Sequence, residues 1–440
     1  MSVDLVQDDI RLALEHVDPP FYVYSLDEVR AAYRQLRAVL PEPSRILYSL
    51  KANPHPDLVR ALIEEGAGVE ICSTGELDAT HEADVPPDLV LYTGPGKRDA
   101  EVEAAIAGGV TRFSVDSLAG LRQIDVVARC HGVRAECLVR LNDSVSAPGQ
   151  GLAMTGRASQ FGADIAVLQA QSAEFQPYCT GGQSRSGASI VGLHVYQGSN
   201  LDSEDALVAQ FDAALTTCRR AATALRLDPA VIDVGGGFGA PYARLGDRPP
   251  LSMLADRLAA LLDHHFPGWH GGAPTVIFES GRYLAGRCGQ LVTRVADVKI
   301  SHDTPVVVLE SGINHLGGMS GLRRLPPIAP DVVAAGAARE SVTTSTLVAG
   351  PLCTPLDSWT RSAELPPLSR GDLVSVPNVG AYGLSASLVG FLSHPCPAEV
   401  VLEGGSVVSV SRVDLSRNPL PRSRATAAPV SGSDTAVDAL

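Results

Sequence analysis

Eight short apolar or β-branched runs fill the first two-thirds of the chain, at about 45–51, 68–73, 88–94, 112–117, 135–142, 190–198, 231–237 and 275–282. Amphipathic stretches lie between most of them. Asp57 to Glu65 is one, closed by Gly66 as a helix stop, and Glu204 to Leu225 and Leu251 to Phe266 are two more. Strands that alternate with helices imply a parallel sheet, and eight is the number that closes a (β/α)8 TIM barrel. An open doubly wound sheet is the alternative from pattern alone. The Ser-, Gly- and Gln-rich segment 143–188 reads as a loop excursion over one end of the barrel.

After residue 285 the rhythm changes. Gln290 to Val295, Thr304 to Leu309, Leu373 to Val376 and Glu399 to Leu402 are apolar runs separated by Gly, Pro and Asp turns, the pattern of an antiparallel β domain. Pro20 to Tyr24 is suited to add a strand to it. The expected division is therefore an N-terminal strand segment 1–26, a barrel 27–285, a β domain 286–414, and a Pro-, Ser-, Thr- and Ala-rich disordered tail 415–440.

The net charge of −14 argues against nucleic acid or an anionic membrane as the main partner. No apolar run is long enough to span a bilayer, and the acidic start Met1 to Asp9 lacks the apolar core of a secretion signal. Eight scattered cysteines without a C-x-x-C pair read as reduced thiols of a cytoplasmic protein, with no zinc or other metal site expected.

Lys51 closes the first run and is followed by Ala52-Asn53-Pro54, so a strand delivers a lysine to the rim of the sheet. Partly desolvated there, its amine can attack a carbonyl to form a Schiff base, although most strand-end lysines are merely solvated. The seventh run enters Gly235-Gly236-Gly237, where backbone N–H groups can surround a phosphate without obstruction from Cβ atoms; a tight turn is the plainer reading. The eighth ends in Glu279-Ser280-Gly281-Arg282, a carboxylate and a guanidinium at the same rim. Phosphate commonly binds after strands seven and eight of such a barrel. Lysine, phosphate cradle and carboxylate together suit pyridoxal 5'-phosphate.

Six ordered blocks make the likeness specific: Tyr48 to Asn53, Gly192 through Ser199, Gly235 to Phe238, Glu279 to Arg282, Gly350 through Asp357, and Gly380 to Gly383. Over roughly residues 18–412 the chain resembles the fold-type III pyridoxal-phosphate decarboxylases, the group of diaminopimelate and ornithine decarboxylases. The resemblance implies α-decarboxylation of an amino acid or amino-acid derivative, with Lys51 holding the cofactor and Glu279 at its pyridine nitrogen. It implies phosphate contacts from Ser199, Gly236, Gly237, Gly281, Arg282 and Tyr382, and places Glu70 and Arg140 near the ring. Cys353 matches a residue that enters the partner subunit's site and protonates Cα, so the resemblance also implies a homodimer with shared active sites.

Three departures bear on specificity. Tyr196 stands where the family places a histidine against the ring, with His194 two residues earlier. The family's Glu-Pro-Gly-Arg is here Glu279-Ser280-Gly281-Arg282. Thr354 follows Cys353 where the family carries a carboxylate for the substrate's distal amine, and its loss removes a charge-assisted contact of roughly 1.5–3 kcal/mol. Asp357 is retained as a second candidate for amine recognition, and Arg323 is a candidate to meet an anionic distal part. The Thr-Pro pattern resembles decarboxylases of secondary metabolism, acting on siderophore intermediates or on glutamyl groups bound to a carrier protein. A diaminopimelate or ornithine decarboxylase, a racemase on the same barrel, and a non-catalytic regulatory relative are the alternatives.

Overall fold

The computed structural model describes residues 3–143, 158–179, 187–317, 329–335 and 342–419. Strand β1 (Phe21–Ser25) precedes eight parallel strands: β2 (Arg45–Ser49), β3 (Gly68–Ile71), β4 (Val90–Tyr92), β5 (Arg112–Val115), β6 (Ala135–Asn142), β7 (Ala188–His194), β8 (Val231–Asp233) and β9 (Thr275–Ser280). Each pairs with the next, and β9 returns to β2 in the register Phe278↔Ile46 and Ser280↔Tyr48, so the barrel closes. The open doubly wound alternative is excluded by that last pairing.

Closure puts alternate side chains inside and the crossover helices outside. Leu47, Leu91 and Leu138 form an apolar layer backed by Val191, Val231 and Ile277. Serine N-caps start several outer helices: Ser73, Ser117 and Ser203 each accept the N–H three residues on, opening helices Thr74–Glu82, Leu118–Cys130 and Glu204–Leu225.

The second sheet contains β10 (Gly289–Ser301), β11 (Thr304–Leu309), β12 (Thr344–Ala349), β13 (Ser358–Leu365), β14 (Leu373–Val376), β15 (Ala398–Glu403) and β16 (Ser406–Arg412). Its order is β13-β12-β11-β10-β1-β15-β16, with β14 also on β10. Most neighbours are antiparallel as expected, but β1–β15 and β11–β12 are parallel. The first of these follows from β1 entering the sheet from before the barrel in sequence. An unanticipated helix, Val3–Leu14, packs Ile10 and Ala13 against Phe21, Val23, Val292 and Val400.

All the barrel strands but β6 end earlier than expected, and three of these early ends matter for the rim. β7 ends at His194 and β8 at Asp233, leaving Tyr196 to Ser199 and Val234 to Gly237 in rim loops. β2 ends at Ser49, and Lys51 sits in the tight turn Leu50–Ala52. Within the 143–188 excursion lie the helices Ile165–Ala170 and Ser172–Cys179, while residues 144–157 and 180–186 are outside the described residues. So is most of the expected tail, 420–440. Among the described residues no helix is long and apolar enough to cross a membrane.

Candidate active site

The carboxyl ends of the barrel strands surround one cavity of about 540 Å³. The Leu50–Ala52 turn swings Lys51 over the rim, β3 supplies Glu70, and Thr93 follows β4. β6 contributes Arg140, and β9 contributes Glu279 and Ser280 ahead of Gly281 and Arg282. The loops after β7 and β8 bring Tyr196, Ser199 and Gly237, and Tyr382 arrives on the loop after β14. Gly236 does not face the cavity. A Cβ there would stand 2.1 Å from the Glu279 carbonyl oxygen, so its missing side chain serves the approach of two rim segments.

Charge is concentrated on one side. Lys51 Nζ lies 3.3 Å from Glu70 Oε2 and 5.4 Å from the centre of the Tyr196 ring. Burial favours a neutral amine, but Glu70 and then Glu279 more than offset it, holding Lys51 well above the usual lysine range. Desolvation alone therefore does not make the amine nucleophilic here, contrary to the expectation from sequence. Glu70 behaves inversely: burial pushes it up, while Lys51, the Thr93 and Ser49 hydroxyls and Arg140 bring it down to about 2. Thr93 Oγ1 donates to Glu70 Oε1 at 2.6 Å.

Glu279 is 1 % exposed, and its Oε1 receives no hydrogen bond among the described residues. His194 Nε2 is 3.4 Å away. Burial, then Glu70 and Asp233, raise the Glu279 carboxyl well above its ordinary range. His194, buried and near Arg140, is kept neutral. On the opposite side Arg282 lies between two rings, 5.3 Å from the centre of Tyr242 and 4.8 Å from that of Tyr382. Tyr382 occupies the left-handed region at φ +57°, held by its N–H to the Ala52 carbonyl and by the Tyr242 hydroxyl on its own carbonyl, both at 2.7 Å. Gly237, at φ +111°, presents bare backbone to the cavity.

These features fit a phosphorylated pyridine aldehyde. An unbonded buried carboxyl oxygen suits a protonated ring nitrogen, and a guanidinium beside bare backbone suits a phosphate. Lys51 lines the same cavity as both groups.

The residues of the Gly350–Asp357 block do not line this cavity. Cys353 is exposed and Thr354 half-buried. Asp357 corrects an expectation: it is 3 % exposed, and its two carboxylate oxygens accept the N–H groups of Ile313 and Leu352, each at 2.8 Å. It ties two loops together through these backbone bonds and does not line the cavity. Asp357→Ala leaves two buried donors unpaired and should lower stability by about 2–5 kcal/mol, measured by urea unfolding. Arg323 lies outside the described residues.

Sequence reasoning missed Asp233, Thr93, Ser49 and Ser114. Asp233 and Ser114 each sit at or beside the carboxyl end of a barrel strand, and that placement was the available signal.

A family model described as "pyridoxal-dependent decarboxylase, pyridoxal binding domain" matches residues 26–286. The L-glutamyl-(BtrI acyl-carrier protein) decarboxylase of Niallia circulans is 31 % identical over 423 residues, covering 93 % of this chain and 95 % of that protein. The diaminopimelate decarboxylase of Aquifex aeolicus is 29 % identical over 396 residues, 88 % of this chain and 87 % of its own. The crystal structure of Helicobacter pylori diaminopimelate decarboxylase complexed with L-lysine shares the fold, with a TM-score of 0.76 at 24 % identity over 92 % of this chain and 95 % of that one.

Proposed function

Because the chain belongs to the pyridoxal-dependent decarboxylases, we propose that it removes the α-carboxylate of an amino-acid derivative whose distal end carries no free amine, such as a carrier-bound glutamyl group. The enzyme is a pyridoxal-phosphate-dependent carboxy-lyase. The substrate reading rests on the cavity wall. Among the described residues its only carboxylates are Glu70, bonded to Lys51 and Thr93, and the deeply buried Glu279. With Thr354 following Cys353 and Asp357 bonded to backbone, no further acid among the described residues lines the cavity to pair with a distal ammonium. The relative from Niallia circulans, named for a carrier-bound L-glutamyl group, is consistent with that wall.

Bound pyridoxal phosphate supplies a sink for the electron pair of the breaking Cα–carboxylate bond. The chain's residues would hold and orient it: Lys51 would anchor the aldehyde, Glu279 would serve the ring nitrogen, and Tyr196 would offer an aromatic face to the ring. Ser199, Gly237, Gly281, Arg282 and Tyr382 would hold the phosphate, with Gly236 shaping the turn behind them. Glu70 and Arg140 fix the charge around Lys51. After CO₂ leaves, the carbon needs a proton, and the thiol of Cys353 of the partner subunit donates it and is reprotonated from solvent. We infer a homodimer on this basis, a barrel unit 27–285 with a β unit 1–26 and 286–414, and a cytoplasmic setting in which eight free thiols stay reduced.

The test is CO₂ release from the cofactor-loaded protein on diaminopimelate, ornithine, lysine, free glutamate and a carrier-bound glutamyl thioester. Release from the thioester is expected to exceed that from the diamino acids at least about tenfold, as a missing charge pair of roughly 1.5–3 kcal/mol requires. Efficient turnover of diaminopimelate or ornithine would overturn the substrate assignment.

A further inference from the structure

Under the floor of the cavity three titratable side chains converge. His194 ends β7, Asp233 ends β8 and Glu279 lies near the end of β9; none is more than 1 % exposed, and one polar atom of each lies within 4.8 Å of the other two. Asp233 Oδ1 accepts the Gly235 N–H at 2.9 Å. Its Oδ2, like Glu279 Oε1, meets no donor among the described residues. His194 Nδ1 is engaged by the Ser114 hydroxyl at 2.8 Å, which leaves Nε2 turned to Glu279. Carboxylate oxygens are acceptors only, so two this close, each without a donor, bond each other only through a proton.

The surrounding charge fixes how many protons. Lys51 and Arg140 face the pair as cations, and Glu70 faces it as an anion. Three carboxylates against two cations leave one negative charge in excess. One proton neutralises the group, whereas none would leave a buried net charge and two would leave a positive one. Of the other neighbours, Lys97 is a further cation near His194 but has Asp116 as its own counter-charge, burial keeps His194 neutral, and burial together with Asp233 keeps the Cys218 thiol protonated.

We propose that Asp233 and Glu279 share a single proton, and that Asp233 is thereby a positioning residue that sets the charge Glu279 turns to the pyridine nitrogen. The second half rests on the placement of Glu279 at that nitrogen. Burial first, and then Glu70, push Asp233 up to about 7, and burial, Glu70 and Asp233 hold Glu279 well above its ordinary range, so the pair keeps a proton at neutral pH. With that proton the pair is neutral with its neighbours, and when it leaves, at alkaline pH, Glu279 turns a full negative charge to its surroundings.

The infrared spectrum of the cofactor-loaded full chain tests this through the carboxylic-acid C=O band, recorded with Asp233→Asn and Glu279→Gln. Asparagine can keep the bond to Gly235 N–H and give an amide N–H to Glu279. The expected result is that each single substitution removes the same one-proton band, and that in the wild type this band fades as pH rises past neutrality. A band that survives in Asp233→Asn, one that survives in Glu279→Gln, or none in the wild type would overturn the shared proton. The wild-type pH series decides the matter if a variant does not fold. The visible absorbance of the bound cofactor separates the two halves. Its pH midpoint should shift in Asp233→Asn, and a cofactor spectrum and affinity unchanged in Glu279→Gln would overturn the placement of Glu279 without touching the proton.

Discussion

Lys51→Ala is expected to emerge from purification without pyridoxal phosphate and to decarboxylate at least about a thousandfold more slowly than the wild type, the scale on which deleting a covalent catalytic group acts. The visible absorbance of the dialysed protein gives the first readout and CO₂ release the second. Lys51 stands on a three-residue turn at the cavity rim, with its amine 3.3 Å from Glu70. Two losses would follow the substitution, the covalent anchor and the cation that Glu70 pairs with. Without that cation the Glu70 carboxyl, now held down to about 2 largely by Lys51 acting against burial, should rise toward its ordinary range. Lys51→Arg separates the two effects. A guanidinium preserves the ion pair but does not form the link to an aldehyde, so this variant should fold as the wild type does and still fail to retain the cofactor. A Lys51→Ala protein with an unchanged spectrum would remove Lys51 from the chemistry.

The barrel was legible because its signal is repeated: eight apolar runs alternate with helical ones, and an end misplaced by two to four residues, as at β7 and β8, moves only loop. The residues around the cavity were legible where a type and a strand end coincide, as at Lys51 and Glu279. What escaped was whatever depends on partners distant in sequence. Asp233 lies inside the expected run 231–237 with nothing local to single it out, yet its neighbours His194 and Glu279 come from the adjacent strands β7 and β9. Asp357 failed in the opposite direction. An acid four residues after Cys353 resembles a substrate ligand, but its partners are the backbone N–H groups of Ile313 and Leu352, which carry no side-chain signature at all. Tyr196 lines the cavity while His194 lies beneath it, so the exchange of histidine for tyrosine leaves an aromatic face on the wall and an uncharged imidazole below.

Cys353→Ala should retain full cofactor absorbance and lose amine formation by about 10²–10⁴-fold, the usual contribution of a positioned general acid. In a single chain Cys353 is exposed and does not line the cavity that holds Lys51. A thiol so placed can protonate substrate carbon only if it enters the cavity of another subunit. That requirement makes a stronger prediction than the single variant. Lys51→Ala and Cys353→Ala homodimers, each inactive, should regain activity when their subunits are exchanged. A mixed dimer has one site that takes both Lys51 and Cys353 from wild-type positions and one site that lacks both. Random exchange makes half of the dimers mixed, and half of their sites intact, so recovery should approach roughly a quarter of wild-type turnover. Recovery also requires the doubly substituted chain, Lys51→Ala with Cys353→Ala, to rescue nothing on mixing with either single variant. If the exchanged mixture stays inactive while sedimentation shows that mixed dimers have formed, the thiol acts within its own chain or not at all. If Cys353→Ala alone keeps wild-type turnover, the proton comes from another group, and no shared site is needed to explain the enzyme.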